Sequence, residues 1–430
     1  MKPSRPKELP LGTAWIISTM APTDKTAWTV GRLHYLDNLR AFLMLLGVPY
    51  HAALAYSVLH GWMVVSENEK SVLLSWASQF SHTFRMPAFF LIAGFFAALL
   101  LRRKGALPWW RNRMLRIGVP MITAALLLNP LMMLAMALDR GGAAGAEGVG
   151  EAFWALFSVP GEPWVAHLWF LFDLLIYCSL LALAWRFIDH VRARRVIEGA
   201  EAFAGRFRLG YWLLLPIAGC ASLGAVMAFV VLDINSTAYG MLVLARTAGH
   251  APAFLFGALL ACYPQWLQRF TTIHWPSWVL AFALAVTLCL VQSQDQDLPR
   301  AMKYFLMPLV GIMMSHVLMS AMRKWLDWET PLTRGAVDGA FTIYLFHQVF
   351  IVFGVLLLRD TGLPALVQFT LLTIGSLLLS LGVHLVIRRH PLLLMLFNGV
   401  PPRQRAARLH QGRTVSQHPG QHHSQHPLPP

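Results

Sequence analysis

Long apolar stretches separated by short polar loops run through almost the whole chain. Stretches of about twenty residues have the length that an α-helix needs to cross the hydrocarbon core of a bilayer. The hydropathy pattern therefore predicts about ten membrane spans, of which the seventh is the shortest. The predicted spans cover residues 41–59, 75–101, 117–138, 165–187, 211–232, 241–263, 278–292, 301–322, 339–358 and 363–387.

The two ends of the chain depart from this pattern. Residues 1–33 are basic and Pro-rich with one short, interrupted apolar run, so we expect a polar cytoplasmic extension rather than a signal peptide. Residues 399–430 are rich in Gln, His and Pro and have almost no apolar side chains, so we expect a disordered tail. The predicted fold is an all-α polytopic membrane protein with one membrane domain, 34–398.

The composition agrees with this fold and limits the partners. Hydrophobic residues make up 57% of the chain and charged residues 13%. The net charge of +15 could indicate a nucleic-acid partner, but the basic residues lie in alternate loops and the acidic residues in the others. Basic loops stay in the cytoplasm. We therefore expect the charge to orient the protein in a bilayer, with both termini cytoplasmic and no nucleic-acid partner.

The first span and the residues before it carry the most informative ionisable side chains. Arg40 and His51 are eleven residues apart, which is three helical turns plus about 20°, so they share a helix face about 16 Å apart along the axis. Asp37 lies one turn before Arg40 and can pair with it. An ionisable group inside a membrane is costly, so His51 indicates either a function or a buried partner. We place His51 at mid-depth.

The second span begins with a polar stripe. Ser78, Ser81, His82 and Arg85 occupy positions i, i+3, i+4 and i+7, which share one helix face. Such a face must lie against protein or water. Pro87 follows inside the same span, where it frees a backbone carbonyl and allows a bend.

A basic segment precedes the third span and allows two interpretations. Trp109 and Trp110 fit an interfacial belt, so the segment can be a cytoplasmic anchor and nothing more. Alternatively, Arg113 and Arg116 lie one helical turn apart, so both guanidinium groups can bind one anion. The sequence alone leaves both interpretations open.

Polar side chains in the fourth span are also open to two interpretations. His167 and Trp169 lie at the predicted outer end, where an interfacial role would suffice. Asp173 is either neutral and hydrogen-bonded or paired with an intramembrane cation such as Arg85 or Arg246.

Later spans add two aromatic or imidazole side chains on adjacent turns, Tyr344 and His347, at a depth comparable to His51. His316 is isolated in its span, and we expect it to be a packing residue. The four cysteines make no metal-binding or disulfide pattern, so we predict no metal site.

Five motifs along the chain resemble those of the acyltransferase-3 family of integral-membrane acyltransferases. They are YLDNLRAFLMLLGVPYH, HTFRMPAFFLIAGFF, WWRNRMLRIGVPM, HLWFL and IYLFH, and they occur in the family's order between about His34 and Asn398. The chain is most similar to the branch that succinylates osmoregulated periplasmic glucans. It departs from the family pattern at Ala93, where a serine is usual, and at Gln348, where close relatives tend to carry a second histidine.

The resemblance implies a site, a donor and an acceptor. It implies a bacterial inner-membrane enzyme that takes an acyl group from cytoplasmic acyl-coenzyme A, with no bound cofactor, and transfers it to a polysaccharide on the far side. It also implies that His51 is essential and that Arg113 and Arg116 lie near the donor. The predicted catalytic residues are His51, Arg40 and Asp37, and the predicted substrate-binding residues are Arg113, Arg116, His82, Arg85, His167, Trp169, Tyr344 and His347.

The leading hypothesis is O-acyl transfer across the membrane, with succinyl as the group. His51 acts as general base on the acceptor hydroxyl or accepts the acyl group itself. A succinyl carboxylate needs a cation beside it in the membrane, and Arg85 and Arg246 are the candidates. A transporter of an anionic solute or lipid-linked sugar, with His51, His82 and Arg85 as a relay, is the alternative. A membrane-embedded sensor or scaffold is a third hypothesis.

Overall fold

A computed structural model describes residues 33–59, 61–142, 145–187, 214–237, 240–294 and 297–401, together with positions 195, 199 and 212. The predicted cytoplasmic extension before residue 33 and the predicted tail after residue 401 lie outside the described residues. So does most of the basic loop that follows the fourth span.

The described chain is almost entirely helical, and the all-α prediction is confirmed. The α-helices of the described ranges are α1 (His34–Leu45), α2 (Gly47–Leu54), α3 (Val72–Lys104), α4 (Ala106–Arg113), α5 (Val119–Leu127), α6 (Asn129–Gly141), α7 (Gly145–Phe157), α8 (Glu162–Val165), α9 (Trp169–Phe187), α10 (Leu214–Val231), α11 (Leu244–Cys262), α12 (Pro264–Phe270), α13 (Trp275–Gln292), α14 (Asp297–Trp325), α15 (Pro331–Leu358), α16 (Ala365–Ile387) and α17 (Pro391–Asn398). A π-helix (Met114–Gly118) joins α4 to α5, and a 3-10 turn (Ala166–Leu168) joins α8 to α9. A short antiparallel pair, β1 (Ser236–Thr237) and β2 (Leu242–Val243), is the sheet found within these described ranges.

Eight helical segments in the described part of the chain are long and apolar enough to cross a membrane. They correspond to the predicted spans other than the first and the sixth. The predicted sixth span is the helix α11, whose first two turns carry Arg246 and His250. The predicted first span is the pair α1 and α2, which is interrupted at Leu46. Together these elements form a polytopic membrane protein.

The first span begins earlier and ends earlier than the predicted 41–59. Its helix starts at His34, because the first turn is already packed into the protein through Tyr35 and Leu36 and does not need an apolar, lipid-facing sequence. It ends at Leu54. His51 lies in the last turn of α2, and its position at mid-depth stays a prediction.

Contacts between loops identify two opposite ends of the helix bundle. At one end, the backbone N–H of Tyr35 donates to the carboxylate of Asp327 over 3.0 Å. Gly399, which ends α17 in the left-handed conformation, packs against the backbone of Arg116 at the same end. We call this the basic end, and it includes the start of α1, the π-helix, the loop between α14 and α15, and Gly399.

The other end holds the loops that follow α2, α6 and α15. The backbone N–H of Ala365 donates to the carboxylate of Glu69 over 3.1 Å, and Arg359 pairs with Asp139 at 2.5 Å. We call this the acidic end. The alternation of basic and acidic loops in the sequence predicts the same grouping of the helix ends.

The helix α3 lies at the centre of the bundle, and 78% of its apolar 18-residue stretch is buried inside the protein. It packs closely on α11 at two glycines: a Cβ on Gly94 would collide with the Phe254 carbonyl, and one on Gly257 with the Leu91 carbonyl. Small residues such as these glycines allow two membrane helices to approach closely. The helix continues through Pro87, whose ring packs on α14 where Gly311 leaves room for it.

Candidate active site

Three histidines that are far apart in the sequence meet inside the bundle. The ring centroids of His51 and His347 are 5.2 Å apart, and those of His347 and His167 are 5.7 Å apart. Their exposed fractions are 9% for His51, 0% for His347 and 4% for His167. They come from α2, α15 and the 3-10 turn, and we call them the histidine cluster.

The hydrogen bonds of two of these rings determine which nitrogen carries a proton. His347 donates from Nδ1 to the Tyr344 carbonyl over 2.6 Å, and His167 donates from Nε2 to the Leu345 carbonyl over 3.2 Å. A carbonyl oxygen only accepts, so each neutral ring keeps its other nitrogen as an acceptor. Those nitrogens, and Nδ1 of His51, are buried with no hydrogen-bond partner among the described residues.

A strained residue sets the direction of His167. Ala166 has φ 43° and ψ −126°, a backbone conformation that L-residues rarely adopt. The hydroxyl of Tyr344 donates to the His167 carbonyl and holds this turn against α15. Backbone strain of this kind costs about 1–3 kcal/mol and is found most often at functional sites.

Arg85 lies beside the histidine cluster. A Cβ added at Gly47 would be 2.8 Å from Nη1 of Arg85 and 3.9 Å from Nε2 of His347, so the absence of a side chain at Gly47 makes room for the guanidinium. Its Cζ lies 4.2 Å from the ring centroid of Tyr50, in cation–π contact. Arg85 is 5% exposed, and no Asp or Glu of the described residues lies within ion-pair distance of it.

Tyr50 connects the histidine cluster to the acidic end. Its ring meets His51 edge-on at 4.8 Å and stacks on His82 at 5.7 Å, and its hydroxyl is 3.2 Å from Nδ1 of His82. Tyr50 and Gly47 were not among the predicted site residues. Both lie within the first motif, but their roles depend on contacts with α3, which spacing along one helix cannot show.

The two serines of the polar stripe form hydrogen bonds to the backbone of their own helix. The hydroxyl of Ser81 donates to the Ser78 carbonyl over 2.9 Å, and Ser78 donates to the Ser75 carbonyl over 2.8 Å. Serine hydroxyls commonly return to their own helix backbone in this way. His82 and Arg85 are therefore the two members of the stripe that contact other helices at the site.

Asp173 pairs with Arg246, which decides between the alternatives left by the sequence. Its Oδ2 is 3.5 Å from Nε of Arg246, and its Oδ1 accepts a hydrogen bond from Thr247 over 3.0 Å. The Arg246 guanidinium also lies 4.3 Å from the ring centroid of Trp169, which stacks on His250 at 5.8 Å. Trp169 therefore contacts Arg246 and His250 and is not in the histidine cluster. It lines the same cavity as His82. His250 was not among the predicted residues.

A separate group of arginines lies at the basic end. Arg40 pairs with Asp37 at 3.7 Å, and its side chain is 42% exposed. Arg40 and Arg116 both lie within electrostatic range of Arg113, whose Nε is buried without a partner among the described residues. Arg40 thus groups with the predicted donor arginines and not with His51.

The π-helix changes the expected spacing of this pair. Arg113 ends α4 and Arg116 lies inside the π-helix, whose i→i+5 hydrogen bonds give more residues per turn than an α-helix. The two side chains therefore do not repeat at α-helical spacing, although their charges remain close. Trp109, in contact with Arg113 at 5.7 Å, is fully buried and is not an interfacial belt residue.

His316 and the cysteines lie outside this site. His316 donates from Nδ1 to the Phe270 carbonyl over 2.6 Å and packs on the Phe270 ring. All four cysteines are free. Within the described part of the chain, no three His, Cys, Asp or Glu side chains are placed to hold a metal ion.

Comparison with known proteins identifies the family. Residues 33–385 match the model of the acyltransferase domain of the acyltransferase-3 family. Glucans biosynthesis protein C of Escherichia coli K12 is 30% identical over 383 residues, which cover 86% of this chain and 95% of that protein. The protein of the same name from E. coli O1:K1 is 29% identical over 382 residues, with the same coverage. No solved structure matches. The resemblance seen in the five motifs is confirmed, and the chain belongs to the acyltransferase-3 family of membrane acyltransferases.

Proposed function

We propose that this protein transfers an acyl group, specifically succinyl, from acyl-coenzyme A at the basic end to a hydroxyl of a glucan at the acidic end. The observation that carries the proposal is the histidine cluster. It places His51, with an unpartnered ring nitrogen, beside two further imidazoles and a guanidinium in a buried site. Membership of the family and similarity to glucans biosynthesis proteins C support the reaction class and the acceptor.

The reaction needs one proton acceptor and one stabilised negative charge. His51 takes the proton of the acceptor hydroxyl as its oxygen attacks the thioester carbonyl. The C–S bond breaks, an ester forms, and the thiolate of coenzyme A leaves with the proton returned from His51. Arg85, next to His51, stabilises negative charge that forms at the carbonyl oxygen or that the acyl group carries.

A second route uses the same residues. His51 can attack the thioester itself, releasing the thiol, and the acceptor hydroxyl then attacks the acyl-imidazole with transfer of its proton to the released ring nitrogen. The two routes differ without acceptor present. Acid quenching of protein mixed with radiolabelled acyl-coenzyme A traps label on His51 only if the second route operates.

The donor binds at the basic end in this proposal. Arg40, Arg113 and Arg116 concentrate positive charge there, and guanidinium groups match phosphate oxygens in two places. A basic end in the cytoplasm places both termini there as well. A reporter enzyme active only in the periplasm should be inactive when fused after Trp328 and active when fused after Gln294.

The choice of succinyl as the acyl group is supported by the two arginines within the bundle. Arg246 is already paired with Asp173, whereas Arg85 has no carboxylate partner among the described residues and lies next to His347. A free carboxylate on the acyl group would supply the missing negative charge to Arg85, and an acetyl group would not. This supports succinyl as the transferred group.

One assay tests the proposal as a whole. Purified protein is given succinyl-coenzyme A with and without a glucan oligosaccharide, and both free thiol and acylated glucan are measured. We expect thiol release that depends on the glucan and matches ester formation one to one. Glucan uptake into vesicles without thiol release would instead support the transporter.

A further inference from the structure

A polar cavity opens between α2, α3, α9, α11 and α14 at the acidic end. Its volume is about 460 Å³, within the range of small-ligand sites. His82, Trp169, Arg246 and His250 line its wall, and Tyr50 lies at its inner limit. Neither the five motifs nor the proposed chemistry assigns Arg246 or His250 a role.

Two nitrogen atoms in the wall of this cavity have no hydrogen-bond partner among the described residues. His250 is 3% exposed, and its Nδ1 is buried without a hydrogen-bond partner among the described residues. The same holds for Nη2 of Arg246. Leaving a buried polar atom unpaired is unfavourable, so a wall with such atoms is suited to a ligand that offers hydrogen-bonding groups.

Two basic side chains, Arg246 and Lys303, line the cavity, and the charge of Arg246 is balanced by a carboxylate. Asp173, fully buried behind the wall, balances Arg246 at 3.5 Å. Trp169 fixes the plane of the Arg246 guanidinium at 4.3 Å and stacks on His250. Planar donors held rigidly beside an aromatic ring can bind several hydroxyl groups with little loss of side-chain entropy.

A single aromatic ring separates this cavity from the proposed chemistry. Tyr50 lines the cavity together with its partner His82, and the other side of Tyr50 meets His51 at 4.8 Å. A ligand in the cavity is therefore one aromatic ring away from His51, the proposed proton acceptor.

We propose that this cavity binds one sugar unit of the acceptor, with Arg246 and His250 donating hydrogen bonds to its hydroxyl oxygens and Asp173 positioning Arg246. The proposal rests on the proposed function, because it names the site of the carbohydrate acceptor. The arginines proposed to bind the donor lie at the opposite end of the bundle.

Protection from a thiol reagent measures binding without requiring transfer. Gly61 lines the mouth of the cavity, and a Cβ there would meet nothing within 4 Å, so Gly61→Cys should fold normally. Gly150→Cys in α7, also with open space at its Cβ but not among the residues that line the cavity, is the control. Modification by a bulky maleimide is followed at each position by mass spectrometry.

We expect a glucan oligosaccharide at ten times its dissociation constant to slow modification of Gly61→Cys about tenfold. Gly150→Cys should be unaffected, and succinyl-coenzyme A should protect neither position. Protection by the donor alone, or no protection by glucan under conditions where transfer occurs, would overturn the acceptor site. Protection by glucan in a protein that transfers no acyl group would uphold the site and reject the proposed function.

A kinetic variant separates recognition from structure. His250→Leu should raise the KM for the glucan by about 3- to 10-fold, the effect of losing one neutral hydrogen bond, with the KM for the donor unchanged. His250→Gln retains a donor and should recover most of the wild-type KM. Equal KM values for glucan in all three proteins would contradict the proposal.

Discussion

Two arginines inside the helix bundle, Arg85 and Arg246, have opposite electrostatic environments. Arg246 in α11 is paired with Asp173 and also contacts Trp169. Arg85 in α3 has the Tyr50 ring on one face and no carboxylate within ion-pair distance among the described residues. A buried charge without a counterion is unfavourable, so the two arginines cannot have the same purpose.

The difference separates a structural charge from a functional one. The Asp173–Arg246 pair is neutral as a unit and can orient a wall without attracting an anion. Arg85 is neutralised only when a negative ligand or a negative transition state is present, and it lies beside His347 and His51.

The largest effect is expected at His51, next to Arg85. His51→Ala removes the proposed base, and general-base catalysis contributes about 10²- to 10⁴-fold. We therefore expect transfer to fall by at least about 100-fold at unchanged protein abundance, measured as acylated glucan. His316→Ala is the matched control, because His316 is also a buried histidine but packs on Phe270. Full activity of His51→Ala would remove the histidine cluster from the mechanism.

Stability should respond in opposite directions at the two arginines. Arg246→Leu leaves the Asp173 carboxylate buried and unpaired, which costs about 3–5 kcal/mol for a fully buried pair. We expect the lower part of this range, because the Arg246 side chain is 26% exposed. Arg85→Leu removes a charge that has no counterion, so the free energy of unfolding should stay equal or rise. Thermal unfolding in detergent measures both.

A double variant identifies the cause of the first effect. Asp173→Leu combined with Arg246→Leu removes both charges, so most of the stability lost in Arg246→Leu should return. A double variant as unstable as the single one would show that packing, and not the unpaired carboxylate, explains the loss. Destabilisation by Arg85→Leu as large as that by Arg246→Leu would erase the contrast between the regions.

The sequence predicted the elements of the membrane domain better than their contacts. Nine of the ten predicted spans agree closely with helices of the structure, because twenty-residue apolar stretches are a strong signal. The first span was displaced because the polar residues of the first turns of α1 lower the hydropathy there, although Tyr35, Leu36 and Leu39 of the same turns are packed into the protein.

Contacts between residues of the candidate site could not be predicted from the sequence for a similar reason. His51, His167 and His347 were each found by motif, yet only the fold shows that they meet. Arg40 was assigned to catalysis from its shared face with His51, but the break at Leu46 and the tertiary packing place it with the donor arginines. Asp173 could not be given a partner, since a cation on α11 is as distant in sequence as one on α3.

Donor selectivity should change at Arg85 and not at Arg246. Arg85→Leu removes the proposed partner of the succinyl carboxylate, and hydrogen bonds to charged groups contribute about 1.5–3 kcal/mol. We expect succinyl transfer to fall about 10- to 100-fold further than acetyl transfer when both donors are assayed side by side. Equal loss for both donors would indicate a role at the carbonyl oxygen, and a wild-type preference for acetyl would reject the succinyl assignment.

A smaller effect is expected at the basic end, away from both Arg85 and Arg246. Arg113→Ala should raise the KM for acyl-coenzyme A about tenfold with little change in kcat, because the proposed contact of Arg113 is with donor phosphates and not with the reacting atoms. Arg111→Ala is the control, since Arg111 lies on the exposed side of the same helix. An unchanged KM would return the basic segment to its interpretation as a cytoplasmic anchor.

The smallest expected change comes from adding one methyl group beside Arg85. In Gly47→Ala the new Cβ would lie 2.8 Å from Nη1 of Arg85, closer than van der Waals contact, so the guanidinium must move by a few tenths of an ångström. Such overpacking costs about 1–3 kcal/mol when nothing yields, and less when a flexible side chain can shift. Because a displacement of about 1 Å can cost 100-fold in rate, we expect a several-fold lower kcat with nearly normal stability. Gly224→Ala, where a Cβ meets nothing within 4 Å, should leave kcat unchanged. Wild-type kcat in Gly47→Ala would mean that the position of the Arg85 guanidinium does not matter to the reaction, and the two arginines would then differ in pairing but not in function.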